Sequence, residues 1–154
     1  RRKVSVIGRR GHVQGAFTIK ELRELTRLDD ANFVVREDEL ELGRTEASKQ
    51  EIKDSRPRKR MDKLLTDATK STIDHEHQKT AEVYLRFLLN PVKFDSDDGS
   101  NLSQIVCERT SLIGNAGNQS AEGTGEMEVI KAEMVRYSCS MMHTCASLSY
   151  LFAF

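Results

Sequence analysis

Three observations predict an α/β fold. Lys3–Ile7 (KVSVI) alternates around β-branched residues and stops at Gly8, the pattern of a short strand ending in a turn. Two amphipathic helical patterns follow, one opening at Thr18 and one behind Pro57. A further alternating apolar stretch begins at Val83 and is joined through Asp95–Ser100 (DSDDGS) to another, which suits an antiparallel β-hairpin.

Taken in order, Thr18 and Glu21 have the T-x-x-E spacing of a capping box, in which each side chain satisfies the other residue's backbone amide. Ile19, Leu22 and Leu25 then recur on one apolar face, and Asp29–Ala31 ends the helix. Residues 36–56 are acidic and weakly periodic, and read as a surface loop with room for one helical turn. Pro57 stands at the start of the next helix, where its missing amide costs little, and Met61, Leu64, Leu65 and Ala68 give that helix an apolar stripe. Val83, Leu85, Phe87 and Leu89 alternate with Tyr84, Arg86 and Leu88 as a strand that Asn90–Pro91 ends or bends. Leu102–Arg109 reads as its partner, so residues 83–109 are expected to form the hairpin. Residues 114–125, rich in Gly, Asn and Ser, read as a loop. From Tyr137 to Phe154 no residue is formally charged, and the stretch is about long enough to span a bilayer. Ser138, Ser140, His143, Thr144, Ser147 and Ser149 dilute it, so a loosely structured tail is expected rather than a membrane span.

Composition narrows the function classes. The 154 residues suit one domain or part of a larger one. Lys plus Arg number 24 and Asp plus Glu 24, a formal net charge of zero that argues against a globally basic nucleic-acid binder. Hydrophobic residues at 38% and charged residues at 31% allow a modest core under a heavily solvated surface. Three cysteines cannot all pair within the chain, so a reducing compartment is expected rather than a disulfide framework. The zero total hides a segregated pattern: +6 over Arg1–Arg27, −5 over Asp29–Asp54, and a second basic cluster from Arg56 to Lys63. The chain opens on Arg with no targeting sequence in view, and reads as a piece of something longer.

The most informative string is Gly8-Arg9-Arg10-Gly11, closing the first strand. In a dinucleotide-binding fold, the residue at a strand end beside the adenosine ribose sets cofactor choice. An acid there holds the 2′-hydroxyl of NAD, and arginine accommodates the 2′-phosphate of NADP. Forked guanidinium donors match phosphate oxygens, and glycine permits close backbone approach. An arginine pair in a loop is also more often plain solvated surface than a ligand site, so the string alone does not choose.

The longer context does. Gly8–Leu25 (GRRGHVQGAFTIKELREL) resembles the NADPH-binding domain of the adrenodoxin reductase family, the mitochondrial ferredoxin–NADP reductases among the glutathione-reductase-like flavoproteins. Arg56–Ala68 (RPRKRMDKLLTDA), Leu85–Phe94 (LRFLLNPVKF) and Thr124–Met134 (TGEMEVIKAEM) extend the resemblance over about residues 3–135. It implies that Arg9 and Arg10 bind the 2′-phosphate of NADPH and that Glu21 contacts the same nucleotide. For Glu21 the helix cap is an equal explanation. It further implies NADPH and FAD as cofactors, an adrenodoxin- or ferredoxin-type iron–sulfur protein as partner, and a mitochondrial location; the charge pattern and the diluted tail separately argue against nucleic acid and against membrane beyond peripheral contact. The expected fold is then part of a Rossmann-like NADP-binding domain with an antiparallel β-hairpin. It lacks its first strand, Gly-rich turn and helix, and residues 136–154 form an off-pattern tail.

Several departures bear on activity. His12 replaces the family's proline, so a less rigid turn is expected. No G-x-G-x-x-G or G-x-G-x-x-A occurs, and the flavin segment is not represented, so the isolated chain is expected to transfer no hydride and to bind NADPH weakly or not at all. With its natural neighbour gone, the first strand is expected to expose an edge. A non-catalytic interaction or regulatory fragment is the alternative reading. His75-Glu76-His77 and the set Cys139, Met141, Met142, His143 and Cys145 are weak metal patterns, without the spacing of a closed site, and no metal is assigned. Cys107 alternates into a strand face and reads as a small buried residue. Arg56, Arg58, Lys59 and Arg60 read as a solvated helix start.

Overall fold

A computed structural model describes residues 2–71, 79–97, 99–138 and 150–153. Among them, the chain runs β1 (Arg2–Ile7), a 3-10 turn (His12–Gln14), α1 (Ile19–Thr26), β2 (Ala31–Val35), α2 (Glu37–Gly43), α3 (Glu46–Asp54) and α4 (Arg56–Ser71). It continues through β3 (Ala81–Arg86), β4 (Leu89–Ser96), β5 (Leu102–Ile113), β6 (Ser120–Lys131), β7 (Val135–Ser138) and β8 (Tyr150–Ala153). The fold is α/β, with two sheets ordered β2-β3-β1-β8-β7 and β4-β5-β6.

β1, β2 and β3 run parallel, with Val4 opposite Val83 and Phe33 opposite Val83 on the other flank. That register stacks Val6, Phe33, Val35, Val83 and Leu85 on one face. Leu22 of α1 and Met61, Leu65 and Ala68 of α4 close over it, so Leu22, Leu65 and Leu85 are fully buried. The helices therefore form where the apolar periodicity was read, because their stripes have a sheet face to cover. A smaller core joins Ile7 to Leu89, Ile105, Cys107 and Ala132, and seats the antiparallel sheet against the end of β1.

The structure corrects four expectations. Residues 36–56 are not a loop: they hold α2 and α3, and β2 precedes them. The strand begun at Val83 ends at Arg86 and belongs to the parallel sheet; the hairpin is β4–β5, starting at Leu89. Leu88 adopts φ 57, a left-handed conformation that breaks the apolar run in two. Residues 114–125 are only partly a loop, since β6 begins at Ser120 and pairs along β5 from Ile113↔Ser120 to Gln104↔Lys131. β1 is not an exposed edge, because β3 pairs on one side and β8 on the other, with Ser5 opposite Ala153. β8 comes from the uncharged stretch, whose residues 139–149 lie outside the described residues. The patterns at His75–His77 and Cys139–Cys145 also lie outside them.

Candidate functional site

The C-terminal ends of the three parallel strands, at Ile7, Val35 and Arg86, lie together, the edge at which open α/β sheets place their ligands. Gly8-Arg9-Arg10-Gly11 leaves β1 at this edge. Each of its first three carbonyls is held against the protein body. Gly8 O accepts from Leu89 N at 3.2 Å and Arg10 O from Leu88 N at 3.3 Å. Arg9 O accepts from the Thr110 hydroxyl at 2.7 Å. The Gly8 amide donates to Arg86 O at 2.9 Å, which continues the β1–β3 ladder one step past the strand. The positive φ of Leu88 turns its amide toward Arg10 while its carbonyl accepts from Thr110 N at 2.9 Å. Such a backbone costs about 1–2 kcal/mol for a residue with a Cβ, and buried packing of Leu88 in the main core holds it there.

Arg9 and Arg10 are both partly exposed. Among the described residues, neither guanidinium has an ion-pair or hydrogen-bond partner, although fourteen side-chain ion pairs are formed by other described residues. Two cations with no partner among the described residues, on an immobilised backbone, leave positive charge at this edge that no internal acid neutralises.

The next residues anchor the loop from the other side. His12 is fully buried, packs edge-on to Phe87 at 5.9 Å, and donates from Nε2 to Asp62 Oδ1 at 2.9 Å. Arg44 Nε reaches the same oxygen at 2.9 Å. Burial pushes the Asp62 carboxyl up, but hydrogen bonds from His12 and Arg44 and the Arg44 charge outweigh it and hold Asp62 below its usual value. Gln14 Nε2 donates to Ser48 Oγ at 3.1 Å. The rigidity expected to be lost with the family's proline is therefore supplied by a side-chain anchor.

Glu21 stands at the start of α1 in the predicted capping box. Thr18 N donates to Glu21 Oε2 at 2.7 Å and Glu21 N to Thr18 Oγ1 at 3.2 Å. The backbone and hydroxyl bonds to Thr18 lower the Glu21 pKa. The cap occupies two of the helix's free amides, so fewer remain for a ligand.

Sequence reasoning missed the charge cluster behind the site. Glu39 of α2 is fully buried. Its Oε1 accepts from Arg86 Nε at 2.8 Å, its Oε2 from Phe87 N at 2.8 Å, and Arg109 Nη1 lies 3.4 Å from Oε1. Glu128 of β6 takes Arg86 Nη2 and Arg109 Nη2, each at 2.7 Å. Burial raises Glu128, but Arg86, Arg109 and Arg36 together hold it below its usual value. The cluster ties α2, β3, β5 and β6 into one body behind the arginine loop. Its only trace in the sequence is three acids opening α2, the ordinary mark of a helix N-terminus. The basic start of α4 is accounted for in part by Arg58, which pairs with Glu51, while Arg56, Lys59 and Arg60 are exposed. Among the described residues no group of three or more His, Cys, Asp or Glu is placed to hold a metal ion, and no helix is long and apolar enough to cross a membrane.

No protein-family model matches the chain. The chain is similar to the mitochondrial NADPH:adrenodoxin oxidoreductase of Arabidopsis thaliana, 38% identical over 142 residues that make up 87% of this chain and 28% of that protein. It is 31% identical over 134 residues to the NADPH-ferredoxin reductase FprA of Mycobacterium tuberculosis, covering 86% of this chain and 28% of the relative. The solved structure of Mycobacterium tuberculosis FprA in complex with NADPH superposes with a TM-score of 0.68 at 29% identity over 86% of this chain. The chain thus spans a little over a quarter of the length of the curated relatives it matches.

Proposed function

Given that similarity to a segment of the NADPH:adrenodoxin and NADPH-ferredoxin reductases, we propose that this chain is a fragment of such an oxidoreductase. Arg9 and Arg10 recognise the 2′-phosphate of NADPH, and electrons pass from NADPH through FAD to an iron–sulfur ferredoxin. The observation that carries the reading is the pair of guanidiniums with no partner among the described residues, on a loop pinned at the C-terminal edge of a parallel sheet. Residues 1–135 form the nucleotide-binding portion, and residues 136–154 add to it outside the family's pattern. A mitochondrial location, as named for the Arabidopsis relative, belongs to the same proposal.

The phosphorylated ribose end of NADPH fits these residues. Two forked cations address its oxygens, while Gly11 lets the loop pack closely on Gly43 and Leu112. A nucleotide lacking the 2′-phosphate leaves both cations unpaired beside it, which is how the loop discriminates. Glu21 stands in the first turn of α1, which follows that loop, and adds a contact to the nucleotide beside its capping role. The pyrophosphate fits less well, because no G-x-G-x-x-G is present and the cap of α1 uses its own first amides. FAD, when bound, supplies the hydride acceptor and the route to one-electron transfer; no residue of this chain is assigned to it. The chain alone accordingly transfers no hydride and holds NADPH weakly.

A chimera tests this directly. Residues 2–135 replace the matching segment of the Arabidopsis oxidoreductase, and flavin reduction by NADPH is followed spectroscopically. A yellow protein bleached by NADPH far faster than by NADH supports the reading. A chimera that binds flavin yet treats the two nucleotides alike overturns it.

A further inference from the structure

The arginine loop owes its shape to three consecutive peptide planes, each fixed through its carbonyl oxygen. The plane after Gly8 is held by the Leu89 amide and the plane after Arg10 by the Leu88 amide. The plane between Arg9 and Arg10 is held by a side chain, the hydroxyl of Thr110, which reaches across 101 positions of sequence to Arg9 O. A peptide unit is rigid, so fixing that oxygen fixes ψ of Arg9 and φ of Arg10 together, and with them the directions in which both side chains leave the backbone. Thr110 is 8% exposed. Its own amide is already engaged with Leu88 O, so the strand connection does not need the hydroxyl. The hydroxyl also stands where β5 changes register against β6, between Glu108 and Thr110, an irregularity of the kind that re-aims a side chain.

We propose that Thr110 is the positioning residue of the arginine loop, and that its hydroxyl sets selectivity for 2′-phosphorylated adenosine nucleotides by aiming Arg9 and Arg10 as a pair. The inference rests on the nucleotide reading above and deepens it. Thr110 touches no ligand; it acts through the Arg9–Arg10 peptide.

The test uses the whole chain with 2′,5′-ADP as probe and 5′-ADP as control, titrated by NMR, alongside thermal melts. Thr110→Val keeps the size of the side chain and removes the donor. It is expected to weaken 2′,5′-ADP about five- to tenfold, the worth of one hydrogen bond expressed as affinity, and to leave 5′-ADP unchanged. Thr110→Ser restores the hydroxyl and is expected to return to within about twofold of the original. If the Val variant melts too early to titrate, Thr110→Cys, with a weaker donor of similar size, is expected to fall between Ser and Val. Two results overturn the proposal: a Val or Cys variant that binds 2′,5′-ADP like the original, or an equal loss for both nucleotides. If the original chain itself does not prefer 2′,5′-ADP, the nucleotide reading fails and this inference with it. If that preference holds but survives in the Val variant, only the role of Thr110 fails.

Discussion

Removing the buried carboxylate behind the site, by Glu39→Ala, is the sharpest test of how the two sheets are joined. The structure fixes the size of the effect. Glu39 is fully buried and accepts from Arg86 Nε and Phe87 N at 2.8 Å each, with Arg109 at 3.4 Å. Deleting it leaves the Phe87 amide without an acceptor and strands a guanidinium whose side chain is 9% exposed. Breaking a buried pair from one side costs roughly 3–5 kcal/mol. Here Glu128 still faces both Arg86 and Arg109 at 2.7 Å, so the low end applies, about 3 kcal/mol. For a chain of this length, about 2–4 °C is lost per kcal/mol, so the melting temperature is expected to fall by roughly 9 °C. Glu39→Gln keeps an acceptor but not the charge, and is expected to fall about half as far. Urea unfolding with thermal melts measures both. A loss under about 1 kcal/mol for Glu39→Ala, or equal losses for Ala and Gln, refutes the reasoning that a buried charge rather than a filled volume is at stake.

Other outcomes follow from the same contacts. Asp62 and Glu128 both have carboxyls held below their usual values in the folded chain, so each contributes stability above its unfolded pKa and loses it as pH falls through its folded one. Unfolding free energy is therefore expected to be flat near neutrality and to drop below about pH 4, less steeply in Asp62→Asn; an unchanged acid slope in that variant contradicts the assignment. Cys107 is fully buried, and burial and Glu128 push its thiol up to about 11 despite Arg86. Peptide mapping after mild maleimide treatment is expected to find Cys107 unlabelled until the chain is unfolded; prompt native labelling contradicts it. Gly114 has φ 107, and an added Cβ would stand 2.6 Å from Asn118 O, so Gly114→Ala is expected to cost about 1–3 kcal/mol in urea unfolding. A neutral Gly114→Ala shows that the β5–β6 turn is not fixed as described.

How much was legible in the sequence depended on how local each interaction is. The Thr18–Glu21 box and the stripe of α4 involve neighbours in sequence, and both appear as read. α2 was missed because one of its buried positions is a carboxylate, so the apolar period never shows; bonds from Arg86, Phe87 N and Arg109, all distant in sequence, explain why Glu39 faces inward. β6 was missed because its residues are largely exposed and it carries glycines, so no alternation marks it; the strand is specified by its long ladder to β5. The run from Val83 to Leu89 cannot reveal its own break, since a leucine at positive φ is disfavoured locally and is held there by Arg10 and Thr110. In the site, the placement of Arg9 and Arg10 at a strand end was readable from a β-branched run stopping at glycine. The partners that aim them, Thr110, Leu88 and the His12–Asp62 pair, are distant in sequence and carry no local pattern.

The most direct measurement of the central claim is a calorimetric comparison of 2′,5′-ADP and 5′-ADP binding to the chain before and after Arg9→Ala/Arg10→Ala. Weak binding with at least about a tenfold preference for the 2′-phosphate is expected in the original chain, abolished in the double variant while its melting temperature holds. Equal affinities for the two nucleotides in the original chain, or a preference that outlives both arginines, would contradict it.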